Sequence, residues 1–325
     1  MLETETYKLQ LLKDQKQPLV SIIIITYNSS EFVLETLQSA KDQTYNNIEL
    51  IISDDSSTDN TVEVCEKWLN ENKTRFVRVE LITSKVNEGI PANCNRGIKM
   101  TKGDWIRIIA GDDALLPMSI HKYINYINEN EDSDLQVLHS NVEWFDGNFS
   151  MENKQPFSPL AHFKLNNPSV TVENQFQILL RINTVEAGTL FIKRDVFNRI
   201  GLYDEVPRLW EDRPMLLKMT KNGIKLHYLD FLSLKYRKHS SSIQSSKKSK
   251  KYLSDYIIIK SNYYYKNYLQ FLPFFERFVK RILLLRIIYI DKWNLNKNKF
   301  LNVLIFRVIG FPWLFISKWY VKKYL

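Results

Sequence analysis

Cysteine is nearly absent: Cys65 and Cys94 are the two in a chain of 325 residues. Both fall at apolar-compatible positions of expected helices, so they read as small buried hydrophobes and neither is assigned to a disulfide or a metal. A start suited to export is also missing. Met1-Leu2-Glu3-Thr4-Glu5 puts acid where a signal peptide needs base, and no apolar core follows, so the protein is expected to face the cytoplasm. Histidine is scarce at five residues, and the lone His139 and His162 read as structural or exposed. Acid is short at one end only. Residues 247–325 hold 17 basic and 3 acidic side chains, against 28 and 33 in residues 1–246, a block asymmetry that asks for a partner. What remains is ordinary: 44% hydrophobic and 25% charged residues are globular values.

Residues 1–17 read as a polar leader closed by Pro18. Beyond it, strand and helix patterns alternate, which implies right-handed crossovers and an α/β fold with a mainly parallel sheet. Four consecutive isoleucines make 19–26 a central strand, and Asn28-Ser29-Ser30 is expected to cap a helix carrying Phe32, Val33, Leu37 and Ala40. A second strand, 48–52, runs into Ser53-Asp54-Asp55-Ser56-Ser57-Thr58-Asp59. Ser57 or Thr58 is expected to cap the next helix. Residues 76–83 alternate as a third strand. Val137-Leu138-His139 and 231–234 are further strands, separated by a polar, proline-bearing stretch, 145–167, that is either a disordered insertion or an acceptor-facing loop.

Open parallel sheets bind ligands beyond the carboxyl ends of their strands, which is where Asp54 and Asp55 fall. Paired carboxylates there repel bare phosphate and suit donors such as a base N–H or ribose hydroxyls. Taken alone, Asp-Asp-Ser-Ser is equally an Asx-turn before a helix. The ordered set of motifs is more specific. Residues 20–28, ending in Thr26-Tyr27-Asn28, together with 48–61 resemble the nucleotide-binding half of family 2 glycosyltransferases, inverting enzymes of the GT-A fold that use nucleotide-activated sugars. The resemblance runs from about residue 19 to 245. It implies that Thr26, Asn28, Asp54 and Asp55 lie along the nucleotide, with Asn87, Asn93 and Arg96 at the positions of a similar Asn-x-Gly turn and following helix. A guanidinium at Arg96 suits a diphosphate.

A second strand ending in carboxylates, 103–117, carries Ala110-Gly111-Asp112-Asp113. The family normally supplies Asp-x-Asp here, and this chain has Ala110 at the first aspartate position. Magnesium or manganese is commonly held by one or two carboxylates plus phosphate and water, so the resemblance assigns the cation, and a nucleotide contact, to Asp112. Tyr236-Arg237-Lys238-His239-Ser240 resembles a basic-His-Ser loop folding over the diphosphate. His239 is a second metal candidate, and Arg237 or Lys238 would touch phosphate.

Residues 186–192 look like the strand beneath the acceptor, and 201–205 like the loop before the family's acid pair. That pair is Glu211-Asp212, ahead of Pro214, which fits the first turn of a helix. By resemblance Asp212 is the general base for the acceptor hydroxyl, with Glu211 and Asp113 as possible acceptor contacts. An ordinary aspartate, with a pKa of about 3.9, can serve because the hydroxyl becomes acidic only late in an oxocarbenium-like transition state.

The expected organisation is therefore a leader at 1–17, a GT-A domain at 18–246 and a helical extension at 247–325. In the extension Phe274, Phe275, Phe278, Ile282 and Leu285 share helical spacing, with Arg277, Lys280 and Arg281 opposite. Neither of its apolar segments supplies the about 20 apolar residues of a spanning helix. Basic helices rich in aromatics lie in the membrane interface; packing on the domain is the alternative, and nucleic acid is not an expected partner. The chain reads as a metal-dependent inverting transferase. It would pass sugar from a UDP-sugar to a glycan or lipid-linked acceptor, in surface polysaccharide (capsule or O-antigen) assembly at the inner face of the membrane. The rival is a non-catalytic sugar-nucleotide- or glycan-binding subunit with a degraded metal site at Ala110.

Overall fold

The computed structural model describes residues 17–130, 134–160, 163–239 and 254–292. Most of the leader, His162, the basic linker 245–251 and residues 293–325 lie outside the described residues. The run Val-Ser-Ile-Ile-Ile-Ile-Thr forms strand β1 (Val20–Thr26), which pairs in parallel with β2 (Ile48–Asp54) and β4 (Trp105–Ala110). Its side chains alternate between two cores. Ile22 and Ile24 pack on one face with helices α1 (Val33–Lys41) and α2 (Thr61–Asn72), while Ile23 packs on the other with α3 (Ile90–Lys99). Burial on both faces is why the strand reads as an unbroken apolar run.

Strand β3 (Arg78–Thr83) closes the near edge of the sheet, pairing in parallel with β2. After β4 come the short β5 (Ala114–Leu115), α4 (Ser119–Glu129), β6 (Val137–Asp146), α5 (Val172–Leu179), β7 (Phe191–Lys193), α6 (Arg194–Ile200), α7 (Asp212–Lys221) and β8 (Leu226–Lys238). The eight strands order as β3-β2-β1-β4-β7-β6-β8-β5, with antiparallel pairings at β4–β7, β7–β6 and β5–β8. The expected α/β architecture with a largely parallel centre holds, and the antiparallel part lies beyond β4.

Several local expectations are corrected. Ser57 and Thr58 cap nothing: the Ser57 hydroxyl donates to Asp54 and the Thr58 N–H to Asn28, so α2 starts later, after Asp59 accepts from the Thr61 N–H at 3.0 Å. The turn at Asn28 is real, with φ of 50°, but the Ser29 carbonyl rather than a side chain meets the first N–H groups of α1. The strand expected at 186–192 shrinks to Phe191–Lys193, because 187–189 close into a 3-10 turn that the Thr189 hydroxyl pins to the Glu186 carbonyl at 2.8 Å. Conversely β6 and β8 outrun their sequence signals by pairing in parallel from Val137↔Leu226 to Asp146↔Lys238. Tyr236, Arg237 and Lys238 are consequently strand rather than loop. His139 is fully buried in β6 beside the Tyr228 ring, and burial pushes its pKa down to about 3, as a neutral structural histidine requires.

The helical extension packs on the domain over its described part. Helix α8 (Asp255–Asn267) starts on a Ser254 cap. It sends the Tyr263 hydroxyl to Asp204 and the Tyr264 hydroxyl to the Leu180 carbonyl. Helix α9 (Phe274–Lys292) is tied back by a 2.7 Å ion pair between Arg181 and Glu276. No helix among the described residues is long and apolar enough to cross a membrane.

Candidate active site

The carboxyl ends of the parallel strands align because the register pairs Thr26 with Asp54 and Ile25 with Ala110. On this rim Asp54 is 1% exposed and is the hub of a turn. It accepts the Ser57 N–H and the Thr26 hydroxyl, each at 2.8 Å. Asn28 joins the same turn, its Oδ1 accepting the Thr58 N–H at 2.8 Å. Asp55 is bound more tightly. It takes the Glu88 and Gly89 N–H groups, the latter at 2.7 Å, and a 3.0 Å ion pair from Arg96. Gly89 sits at φ 100° with the Arg208 carbonyl 2.5 Å from where a Cβ would be, so no other residue fits that turn. Arg96 also reaches Glu88 at 2.7 Å and the Asn93 Oδ1 at 3.0 Å, and Asn87 accepts from Arg208 through both its carbonyl and its Oδ1. The expected nucleotide residues thus form one connected wall, in which the Asx-type turn and the carboxylate rim are the same object.

The second half of the site follows β4. The Asp112 Oδ2 lies 2.8 Å from the His239 Nε2, bringing together the two residues proposed for a cation from 127 positions apart. Asp112 is held from behind by Arg237, whose Nε donates to the Asp112 carbonyl at 2.8 Å. Arg237 is 2% exposed and spends its remaining donors on the Gly147 carbonyl and Glu35, sandwiched between the Phe32 and Phe149 rings. It is therefore a buried strut, and its guanidinium is directed at protein groups rather than at a phosphate. Asp113 is likewise 4% exposed, accepting the Arg237 N–H at 3.0 Å, and burial raises its pKa well above the ordinary range. Among the described residues no cluster of three or more metal-ligating side chains forms. A carboxylate and an imidazole side by side fit a cation whose other ligands are phosphate oxygens and water.

Glu211 and Asp212 sit half-buried at the amino end of α7. Asp212 is oriented by the Asn183 side chain, which donates to its Oδ2 at 2.8 Å. Burial raises the Asp212 pKa against hydrogen bonds that lower it; burial and the Asp212 charge push Glu211 up to about 8. A third carboxyl belongs to this group. Glu186, which the sequence reading placed in a strand without a role, is pushed up to about 7 by burial and by Asp212. Burial raises all three acids, and the Asp212 charge adds to the rise at Glu186 and Glu211, so the three cannot all ionise cheaply at neutral pH. Asn183 carries no motif of its own, and Glu186 stood only as the first residue of an expected strand; the bond from Asn183 to Asp212 spans 29 positions and shows only in the fold.

The sheet therefore presents, along one rim, paired carboxylates, an Asp–His pair and an acid-rich helix start. Residues 21–201 match Glycosyl transferase family 2, and the chain belongs to that family. It is 27% identical over 236 residues to the Escherichia coli UDP-Glc:alpha-D-GlcNAc-diphosphoundecaprenol beta-1,3-glucosyltransferase WfaP, covering 70% of this chain and 81% of that protein. Of the first three curated relatives, which are 30 to 33% identical, it spans 36%, 60% and 42% of the length. The fold is similar to that of Staphylococcus aureus TarS 1–349 in complex with UDP-GlcNAc, with a TM-score of 0.56 at 20% identity, covering 83% of this chain and 72% of that one. It is also similar to the mannosyltransferase PcManGT of Pyrobaculum calidifontis in complex with GDP-Man and Mn2+, with a TM-score of 0.51 at 14% identity, covering 82% and 69%.

Proposed function

We propose that this chain is an inverting glycosyltransferase that moves a sugar from a UDP-sugar to a glycan or lipid-linked acceptor in surface polysaccharide assembly. The observation that carries the reading is Asp212. It is a carboxylate at a helix amino end, aimed by Asn183, in the same acid cluster that runs through Glu186 to the Asp112–His239 pair. Thr26, Asn28, Asp54, Asp55, Asn87, Asn93 and Arg96 supply the nucleotide wall. Asp112 and His239 would hold a divalent cation, which when bound neutralises charge on the leaving diphosphate. Asp212 takes the proton of the acceptor hydroxyl as attack proceeds, and Glu211, protonated at neutral pH, donates a hydrogen bond to the acceptor. WfaP and TarS, whose names carry UDP-Glc and UDP-GlcNAc, support a UDP donor, and the diphosphoundecaprenol in the WfaP name supports a lipid-linked acceptor.

Incubation of the full chain with manganese and a panel of UDP-sugars, with and without lipid-diphosphate-linked acceptors, tests this. Free UDP should appear for one donor and fall by about two orders of magnitude or more in Asp112→Ala. Donor binding without turnover on any acceptor would instead favour the non-catalytic subunit that Ala110 suggests.

We further propose that the enzyme works at the inner face of the cell membrane. Helix α9 leaves Phe274 83%, Phe275 68% and Phe278 56% exposed, with Arg277 and Arg281 also on the surface. Apolar side chains among cations suit an anionic lipid interface. Replacing Phe275 and Phe278 together with Ser should weaken co-sedimentation with anionic vesicles by roughly tenfold or more. Equal binding by the variant would sink the idea.

A further inference from the structure

The sequence reading placed the domain boundary at residue 246, which leaves everything after it outside the catalytic unit. Over the described residues the extension packs on the domain, the alternative the sequence left open. Helix α8 lies directly against the segment that carries Glu211 and Asp212. The Trp210 and Tyr263 rings meet edge-on with centroids 6.1 Å apart, and the Tyr268 hydroxyl reaches the Pro214 carbonyl at 3.5 Å. From α8 the Lys260 ammonium is set over the Trp210 ring at 5.3 Å and over the Tyr256 ring at 5.4 Å. Trp210 is the residue before Glu211 and is 1% exposed, and Lys260 is half-buried, so the two rings hold this cation beside the segment that carries the acid pair.

We propose that Lys260 is a positioning residue of the catalytic centre, keeping Asp212 the ionised member of the cluster formed by Glu186, Glu211 and Asp212. The proposal rests on Asp212 being the acceptor base. Arg213, through its backbone N–H and its charge, and Lys260 both favour the charged form of Asp212, and Lys260 is the one of the two that reaches it from outside α7. From α7, Arg213 donates its Nε to the Leu179 carbonyl at 2.6 Å and lies over the Tyr264 ring, which turns it toward the helix core. From β8, Lys238 sits over the Trp144 ring and acts on Glu186. From α9, Lys280 lies over the Tyr264 ring at 5.3 Å, and burial together with Arg213 and Lys260 pushes its pKa down to about 8. From α8, Tyr256 is neutral at physiological pH, its pKa pushed up to about 12 by burial, Asp212 and Glu211. Lys260 and Asp212 act on each other reciprocally: each favours the other's charged form while burial opposes both. Without the ammonium, the shared proton would settle on Asp212 more readily and leave no base.

The test compares Lys260→Met, which keeps the stem on the aromatic rings, and Lys260→Arg, which keeps the charge. In Lys260→Met the acid limb of kcat/KM should move up by about one pH unit. Activity at pH 6 would then fall about tenfold with little change at pH 9 and unchanged donor KM, while Lys260→Arg keeps the wild-type limb. A merely structural Lys260 would lower activity equally at every pH, and that result overturns the proposal. A thermal-unfolding cycle of Lys260→Met, Asp212→Asn and the double variant reads the coupling without any turnover. Additive Tm shifts overturn the proposal. Non-additive shifts in a chain that transfers no sugar would keep the pairing and reject the catalytic reading of Asp212 instead.

Discussion

Asp212→Asn should lower sugar transfer by a factor of about 10² to 10⁴, the range a general base contributes, while leaving donor binding intact. Asn keeps the size of the side chain and can still meet Asn183 after an amide flip, so the helix start and the donor wall are undisturbed. The pH profile adds a second check. A base must be deprotonated, so activity rises with pH through the apparent pKa of the Glu211–Asp212 pair. Burial raises both members, Glu211 to about 8, which displaces this limb upward from the ordinary aspartate range. Transfer retained in the Asn variant, or an acid limb near pH 4, would assign the proton to another group. Weak donor binding in the variant would point to a donor-side role.

The second large effect is structural. Arg237→Met should destabilise the fold by about 3 kcal/mol, because two carbonyls that accept charge-assisted bonds, those of Asp112 and Gly147, lose their donor inside the protein. The Glu35 partner is half exposed and adds little, since water replaces the ion pair. Unfolding should show a Tm lower by about 5 °C or more, and Arg237→Lys should not restore it, because an ammonium cannot reach several acceptors in one plane. The same bond fixes the backbone of Asp112, so the folded variant should also need more manganese. A wild-type Tm and wild-type metal dependence would mean the strut is dispensable.

Much of this was readable in the chain itself. The isoleucine run declares the α/β class, because burial on both sheet faces demands an unbroken apolar strand, while the carboxylate ends of two strands and Glu-Asp-Arg-Pro at a helix start carried the resemblance to the family. The resemblance also named both Asp112 and His239 as cation candidates before any geometry joined them. What it could not supply were partners set by packing. Ser57 and Thr58 looked like caps, yet Asp54, three residues back at the end of β2, claims the first and Asn28, two elements back, claims the second. Arg237 looked like a phosphate ligand, but the long parallel pairing of β6 and β8 carries it under Asp112 and buries it. Asn183 and Lys260 have no local signature at all, and Glu186 was legible only as the start of a strand. Their roles depend on distances across a core, which tertiary structure alone decides, because burial and contacts made across the fold set a side chain's charge state and partners along with its neighbours in sequence.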